Sequence, residues 1–211
     1  MKKADKDVAK SAVVTVGEGR GFIIEAALLH RFPVRLIVTA AHCLPHLPPA
    51  LATASSEERT YAKLLGRLDE REPKVWAECV FADPVSDIAV LGTPDGQEVY
   101  DKAMAYDELT NNVPALRITY APQEGPGWSL TLNGQWVACV VRHFGGPIDI
   151  SDAAEPIVGG MSGSPILNSA GAAIGIVCCS AGSGDEPHTK GFPNPNLMDS
   201  LPGYLLRGIV R

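Results

Sequence analysis

Three short stretches carry residue types suited to acyl transfer. His42 lies in VTAAHCL (38–44), Asp87 in SDIAVL (86–91) and Ser162 in GGMSGSP (159–165). A serine hydroxyl becomes a nucleophile when a neutral imidazole removes its proton. A carboxylate holds that imidazole in the working tautomer, and backbone N–H groups receive the oxyanion. The three residues supply the first two roles in the order His, Asp, Ser. Gly160 and Gly163 flank Ser162 closely, and glycine lets backbone N–H groups turn toward one point without a Cβ clash. The N–H groups of Gly160 and Ser162 are therefore the expected oxyanion hole.

Each residue alone has an ordinary explanation. A histidine after an apolar strand is commonly structural. An aspartate before a short strand is commonly a turn or cap residue. A Gly/Ser-rich loop is commonly only a loop. Asp83 is a nearby rival to Asp87, but it precedes Pro84 and reads as a turn residue. The esterase elbow Gly-x-Ser-x-Gly fails because Ser164 takes its last position. That family also runs Ser, acid, His, the reverse of this chain.

Taken together, TAAHC, DIAVL and GGMSGSP resemble the three active-site motifs of trypsin-like (chymotrypsin-fold) serine proteases, over roughly residues 12–185. GRGFII before VTAAHC, and SDAAEPIVGGMSGSP before a Gly-Ile strand, resemble the HtrA-type and other bacterial members. The resemblance implies a serine endopeptidase with catalytic His42, Asp87 and Ser162, and no metal or cofactor. It also implies a bare protease domain, since too little chain follows for a PDZ domain. It places the primary pocket at Pro156 and along the strand edge Cys178, Cys179 and Ser180. Those small, fairly apolar residues favour small or medium hydrophobic P1 side chains, while Glu155 keeps a basic preference open. The 178–182 edge is expected to pair with substrate backbone by β-addition.

Two departures bear on activation. IVGG (157–160) imitates the N-terminus that zymogen-type relatives expose on cleavage. In those relatives an Asp before the nucleophile pairs with the freed amine, whereas Met161 stands here. IVGG is thus read as an apolar strand edge plus oxyanion glycines, and N-terminal activation is not expected. Cys43 matches a cysteine that digestive relatives bridge to one upstream, but EAALLH (25–30) has no partner. The alternative reading is a protease-fold regulatory or peptide-binding module, silent until a partner orders the oxyanion loop.

The elements needed to position these groups are strands. AVVTV (12–16), a strand entered from GEGRG (17–21), VRLIV (34–38), a pair at 61–70 and 74–82 (helix being the weaker option for 61–70), and IAVL (88–91) make a first half. Asn133-Gly134 predicts a type I′ hairpin over 128–141. A second hairpin turns around 168–171, 115–122 opens the second half, and Pro202 breaks a terminal helix. Many short strands without βαβ alternation argue for closed β architecture. The expected fold is all-β, with two antiparallel six-stranded β-barrels packed face to face and a short C-terminal helix. Residues 1–10 are expected as a disordered tail and 11–95 as the N-terminal barrel with His42 and Asp87. A linker follows at 96–112, with a short helix around 98–109, and 113–211 form the C-terminal barrel with Ser162.

Bulk composition narrows the partners. With 211 residues the chain buries roughly 70% of its unfolded surface, enough to fold without disulfide or metal. A net charge of -6 argues against non-specific binding to nucleic acid or an anionic membrane. No apolar run approaches the roughly 20 residues that span a bilayer, and no secretory apolar core is legible at the N-terminus. Five cysteines (Cys43, Cys79, Cys139, Cys178, Cys179) match no zinc spacing and read as free thiols, which suits the cytoplasm. The expected partner is a protein or peptide substrate, with an activating partner as the second.

Overall fold

The computed structural model describes residues 1–26, 34–50, 55–70, 72–178 and 188–209. Six strands of the first half close into a barrel: β1 (Val13–Val16), β2 (Gly19–Ala26), β3 (Val34–Thr39), β4 (Thr60–Arg67), β5 (Val75–Asp83) and β6 (Ile88–Gly92). Their order is β1-β2-β3-β6-β5-β4, all neighbours antiparallel, and β1 returns to β4 with Thr15 opposite Gly66. The β-branched run of β3 and the fully buried IAVLG of β6 pack inward, since such side chains fit a pleated surface.

The second half is a curled six-stranded sheet of β7 (Glu124–Leu130), β8 (Trp136–Arg142), β9 (Ile148–Ser151), β10 (Pro165–Asn168), β11 (Ala173–Ile176) and β12 (Gly191–Asn194). Its order is β11-β10-β7-β8-β9-β12. Among the described residues its two ends approach through the Gly175–Asn196 bridge and an Ile176 N–H to Pro195 O bond of 3.3 Å, so the sheet curls into a half-barrel. Strands β9 and β12 were not singled out in the sequence; each is only four residues long.

The segment expected to open the second half, 115–122, runs between the two halves. Leu116 bridges Ile24 and Ile118 bridges Ala173, both parallel. Leu116 N–H donates to Ile23 O at 2.8 Å and Ala173 N–H to Arg117 O at 2.8 Å, so this stretch stitches β2 to β11. The helix expected around 98–109 is α2 (Tyr100–Asn111). Its buried Tyr106 donates between Arg35 O (3.1 Å) and Leu91 O (3.2 Å), fixing the helix to β3 and β6. The terminal helix is interrupted as expected, with α3 (Leu197–Ser200) and α4 (Gly203–Ile209) flanking Pro202.

Two local expectations fail. The tail is not frayed throughout, because Lys3–Ser11 forms a helix, α1. Trp136 Nε1 donates to Lys6 O at 2.9 Å, and the Lys6 ammonium lies 3.7 Å from the Trp128 ring centroid. A cation–π contact and an indole hydrogen bond from β7 and β8 thus dock a segment whose composition looked unstructured. The β7–β8 connection is not type I′ either. Gly134 N–H donates to Thr131 O and Thr131 N–H to Gln135 O, both at 2.9 Å, and only Gly134 is left-handed (φ +69°). That is the three-residue loop with glycine at the bulge position, which puts Leu132 at its tip.

Candidate active site

Barrel topology brings His42 and Asp87 together. His42 sits in a single 3₁₀ turn (Ala41–Cys43) three residues past the end of β3, and Asp87 immediately precedes β6. Strands β3 and β6 pair antiparallel with Thr39 opposite Ala89, so both residues emerge at one barrel end. Ala41 N–H donates to Asp87 O at 3.2 Å, His42 N–H to Asp87 Oδ1 at 3.0 Å, and His42 Nδ1 lies 2.7 Å from Asp87 Oδ2. Both carboxylate oxygens are engaged by one residue, so the imidazole has little freedom to swing. This leaves Nε2 as the ring nitrogen available for proton transfer. Asp87 holds a left-handed φ of +53°, a conformation that costs a non-glycine residue about 1–3 kcal/mol and gathers at functional sites.

Ser162 enters from the second half, two residues before the Ser164 pairing that leads into β10. Gly163 N–H donates to Val177 O (2.7 Å) and Val177 N–H to Ser164 O (2.9 Å), extending the β10–β11 ladder to the serine. From the other side, Arg20 N–H in β2 donates to Ser162 O at 2.7 Å. Gly163 (φ +80°) is obligatory, because a Cβ there would overlap the Arg20 carbonyl and lie 2.7 Å from Thr39 Oγ1. The preceding turn is closed by Met161 N–H donating to Val158 O at 3.2 Å, with Gly160 at φ +84° in its third position. That pattern is a type II turn, which requires glycine there. Among the described residues, no hydrogen bond engages the N–H of Gly160 or Ser162.

Met161 is 1% exposed and packs with Ile157, Ile166 and Val177 in the core of the second half. Its sulfur accepts from Val158 N–H at 3.4 Å. Ile157 is buried and its N–H donates to His188 O at 2.7 Å in a single bridge, while Gly159 and Gly160 already lie in the turn, so the strand edge expected over IVGG is limited to Ile157. Met161 thus fixes the turn to the core of the second half by apolar packing.

His42, Gly160 and Ser162 line one cleft of about 500 Å³ together with Gly17, Glu18, Gly19, Cys43, Leu44 and Pro45. Among the described residues no hydrogen bond joins the Ser162 hydroxyl to His42; such bonds are often loose in unliganded sites and tighten on substrate. Cys178 lines a neighbouring cleft of about 410 Å³ with Val85, Ser86 and Asp87, and its sulfur lies 3.5 Å from Asp87 O. Cys178 N–H donates to Asn194 Oδ1 at 2.9 Å. Pro156 is exposed and lines neither cleft. Cys179 and Ser180 lie outside the described residues. Sequence reasoning did not single out Glu18 or Arg20 as site residues, although GEGRG marked a turn there.

Cys43, Cys79 and Cys139 are free thiols. Burial pushes Cys79 up to about 11 and Cys139 up to about 12. Among the described residues no group of three or more His, Cys, Asp or Glu is placed to hold a metal, and no helix is long and apolar enough to cross a membrane.

The chain is similar in structure to the Rv3671c protease of M. tuberculosis. Against its inactive form the TM-score is 0.54 at 17% identity, covering 98% of this chain and 93% of the other. Against its active form the TM-score is 0.55 at 16% identity, covering 98% and 84%. At such identities the likeness establishes the fold. No curated protein matches the chain. The family model for the trypsin-like peptidase domain matches residues 19–176, from the start of β2 through the end of β11 and across His42, Asp87 and Ser162. The chain accordingly belongs to the trypsin-like peptidase domain family.

Proposed function

We propose that this trypsin-like peptidase is a serine endopeptidase acting through a His42–Asp87–Ser162 triad and an acyl-enzyme, without N-terminal zymogen activation. The observation that carries the reading is the two-point contact of Asp87 with His42, facing a cleft that also holds Ser162 and two unengaged N–H groups. Ser162 Oγ attacks the scissile carbonyl as His42 Nε2 takes its proton. Asp87 Oδ2 accepts from Nδ1–H and stabilises the imidazolium. The Gly160 and Ser162 N–H groups receive the developing oxyanion. His42 then returns the proton to the departing amine, leaving an ester on Ser162. Water, deprotonated by His42, repeats the sequence and frees the acid. Met161 supports the reading on activation, since a buried thioether offers nothing for a new N-terminal ammonium to pair with.

A fluorophosphonate probe tests the mechanism. Ser162 of the parent is expected to label, Ser162→Ala is not, and the variant should keep its peptide affinity while turnover falls by about three orders of magnitude or more. Folded parent protein that stays unlabelled at Ser162 would sink the proposal and favour the peptide-binding module.

A further inference from the structure

Arg20 is a buried ion that the chemistry above does not use. It is 6% exposed and sits in β2 between the two halves. Burial lowers its pKa, the sign of a desolvated guanidinium. Among the described residues it pairs with no carboxylate. Its fork is filled by main-chain carbonyls of the β7–β8 loop: Nη1 donates to Leu130 O (3.2 Å) and Thr131 O (2.9 Å), and Nη2 to Leu132 O (2.9 Å). A planar fork suits three diverging carbonyls, which a lysine ammonium would meet poorly.

Both ends of this residue reach the nucleophile loop. Its N–H donates to Ser162 O, and its own carbonyl accepts from Thr39 Oγ1 at 2.6 Å, against Gly163. Through the guanidinium it holds Leu132, whose Cδ2 would lie 3.2 Å from a Cβ on Gly160. The loop tip thus lies against Gly160. The β7–β8 loop belongs to the second half and Arg20 to the first, so one side chain registers Gly160 and Ser162 against the barrel that carries His42.

We infer that Arg20 is the positioning residue of the oxyanion loop: its guanidinium clamps the carbonyls of 130–132 so that Leu132, together with the Arg20 N–H on Ser162 O, holds the Gly160 turn in its type II form. The inference deepens the proposed function and rests on it for the catalytic consequence, but the clamp itself can be read without turnover. In this chain a cation inserted from the first half would do what a terminal ammonium does in relatives activated by cleavage.

The experiment compares parent, Arg20→Lys and Arg20→Met by hydrogen exchange of the peptides covering 157–164 and 130–136. It adds fluorophosphonate labelling of Ser162 per folded molecule, with Tm as the control for folding. Expected in both variants is faster exchange confined to these two segments. Labelling should slow by roughly ten- to hundred-fold, less than loss of an oxyanion donor itself, with kcat falling and KM nearly unchanged. Lysine should recover part of the loss. Should the methionine variant not fold, the lysine variant decides. Unchanged exchange in 157–164 overturns the clamp. Faster exchange with unaltered labelling of an active parent overturns the positioning role, as does a loss borne wholly by KM. A parent that never labels refutes the enzymatic reading instead, and the exchange pattern still decides whether Arg20 orders the loop.

Discussion

Replacing Asp87 by Asn removes one acceptor from a carboxylate that uses both. Oδ1 accepts from His42 N–H at 3.0 Å and Oδ2 faces Nδ1 at 2.7 Å. The amide has a single oxygen, so it must choose. With oxygen toward the main chain, its NH₂ meets Nδ1 and forces the proton onto Nε2, leaving no base for Ser162. With oxygen toward Nδ1 the tautomer survives, but two donors oppose each other at His42 N–H, at a cost of about 1–3 kcal/mol. The second form then carries the activity, diluted about 5- to 150-fold. The imidazolium has also lost its counter-ion. Unit charges about 4 Å apart interact by about 4 kcal/mol at an effective dielectric near 20. His42 and Asp87 are 47% and 31% exposed, and solvent screening brings this to about 2 kcal/mol, or about 30-fold. The combined loss in kcat is about 10²- to 10⁴-fold with Tm nearly unchanged, measured by steady-state hydrolysis of a peptide substrate beside a melting curve. Asp83→Asn is the control. Asp83 Oδ1 accepts from Val85 N–H (2.9 Å) and Ser86 N–H (3.3 Å), and an amide oxygen can keep both. The reasoning fails if Asp87→Asn stays within tenfold of the parent, or if Asp83→Asn loses as much.

Other substitutions separate the site from its support. Met161→Asp should lower Tm by several degrees and abolish Ser162 labelling, because it buries a carboxylate among Ile157, Ile166 and Val177. Met161→Leu should stay within about 1.5 kcal/mol of the parent in chemical denaturation. Tyr106→Phe, far from the cleft, should cost about 1–2 kcal/mol in chemical denaturation through two lost carbonyl partners and leave kcat unchanged. Cys79 and Cys139 should resist iodoacetamide at pH 8 in the native protein and react after unfolding, as mass spectrometry would read. Their folded pKa values lie above the ordinary thiol value, so their contribution is complete below about pH 9. It fades as pH rises toward about 11 for Cys79 and about 12 for Cys139, and Tm should fall over that range.

By itself the sequence determined the strand-rich class and the family, and it set the chain order of the candidate residues His42, Asp87 and Ser162. Those features are local. His42 follows and Asp87 precedes a short apolar strand, and Gly160 and Gly163 permit a left-handed backbone at the nucleophile turn. Pro202 and the polar 100–111 segment likewise reported a helix break and a helix without reference to distant contacts. The tertiary structure decided what depends on partners far along the chain. Lys3–Ser11 is helical because Trp128 and Trp136 receive Lys6, and 115–119 is a bridge because β2 and β11 both claim its backbone. Within the β7–β8 loop Gly134 alone turned left-handed, and the extra loop residue placed Leu132 beside Gly160. Met161 could be read as unable to form an ion pair, but only packing showed that its side chain anchors the loop. Arg20 was legible merely as a basic residue in a glycine-rich turn. Its three acceptors are main-chain carbonyls about 110 residues away, and carbonyls have no sequence signature.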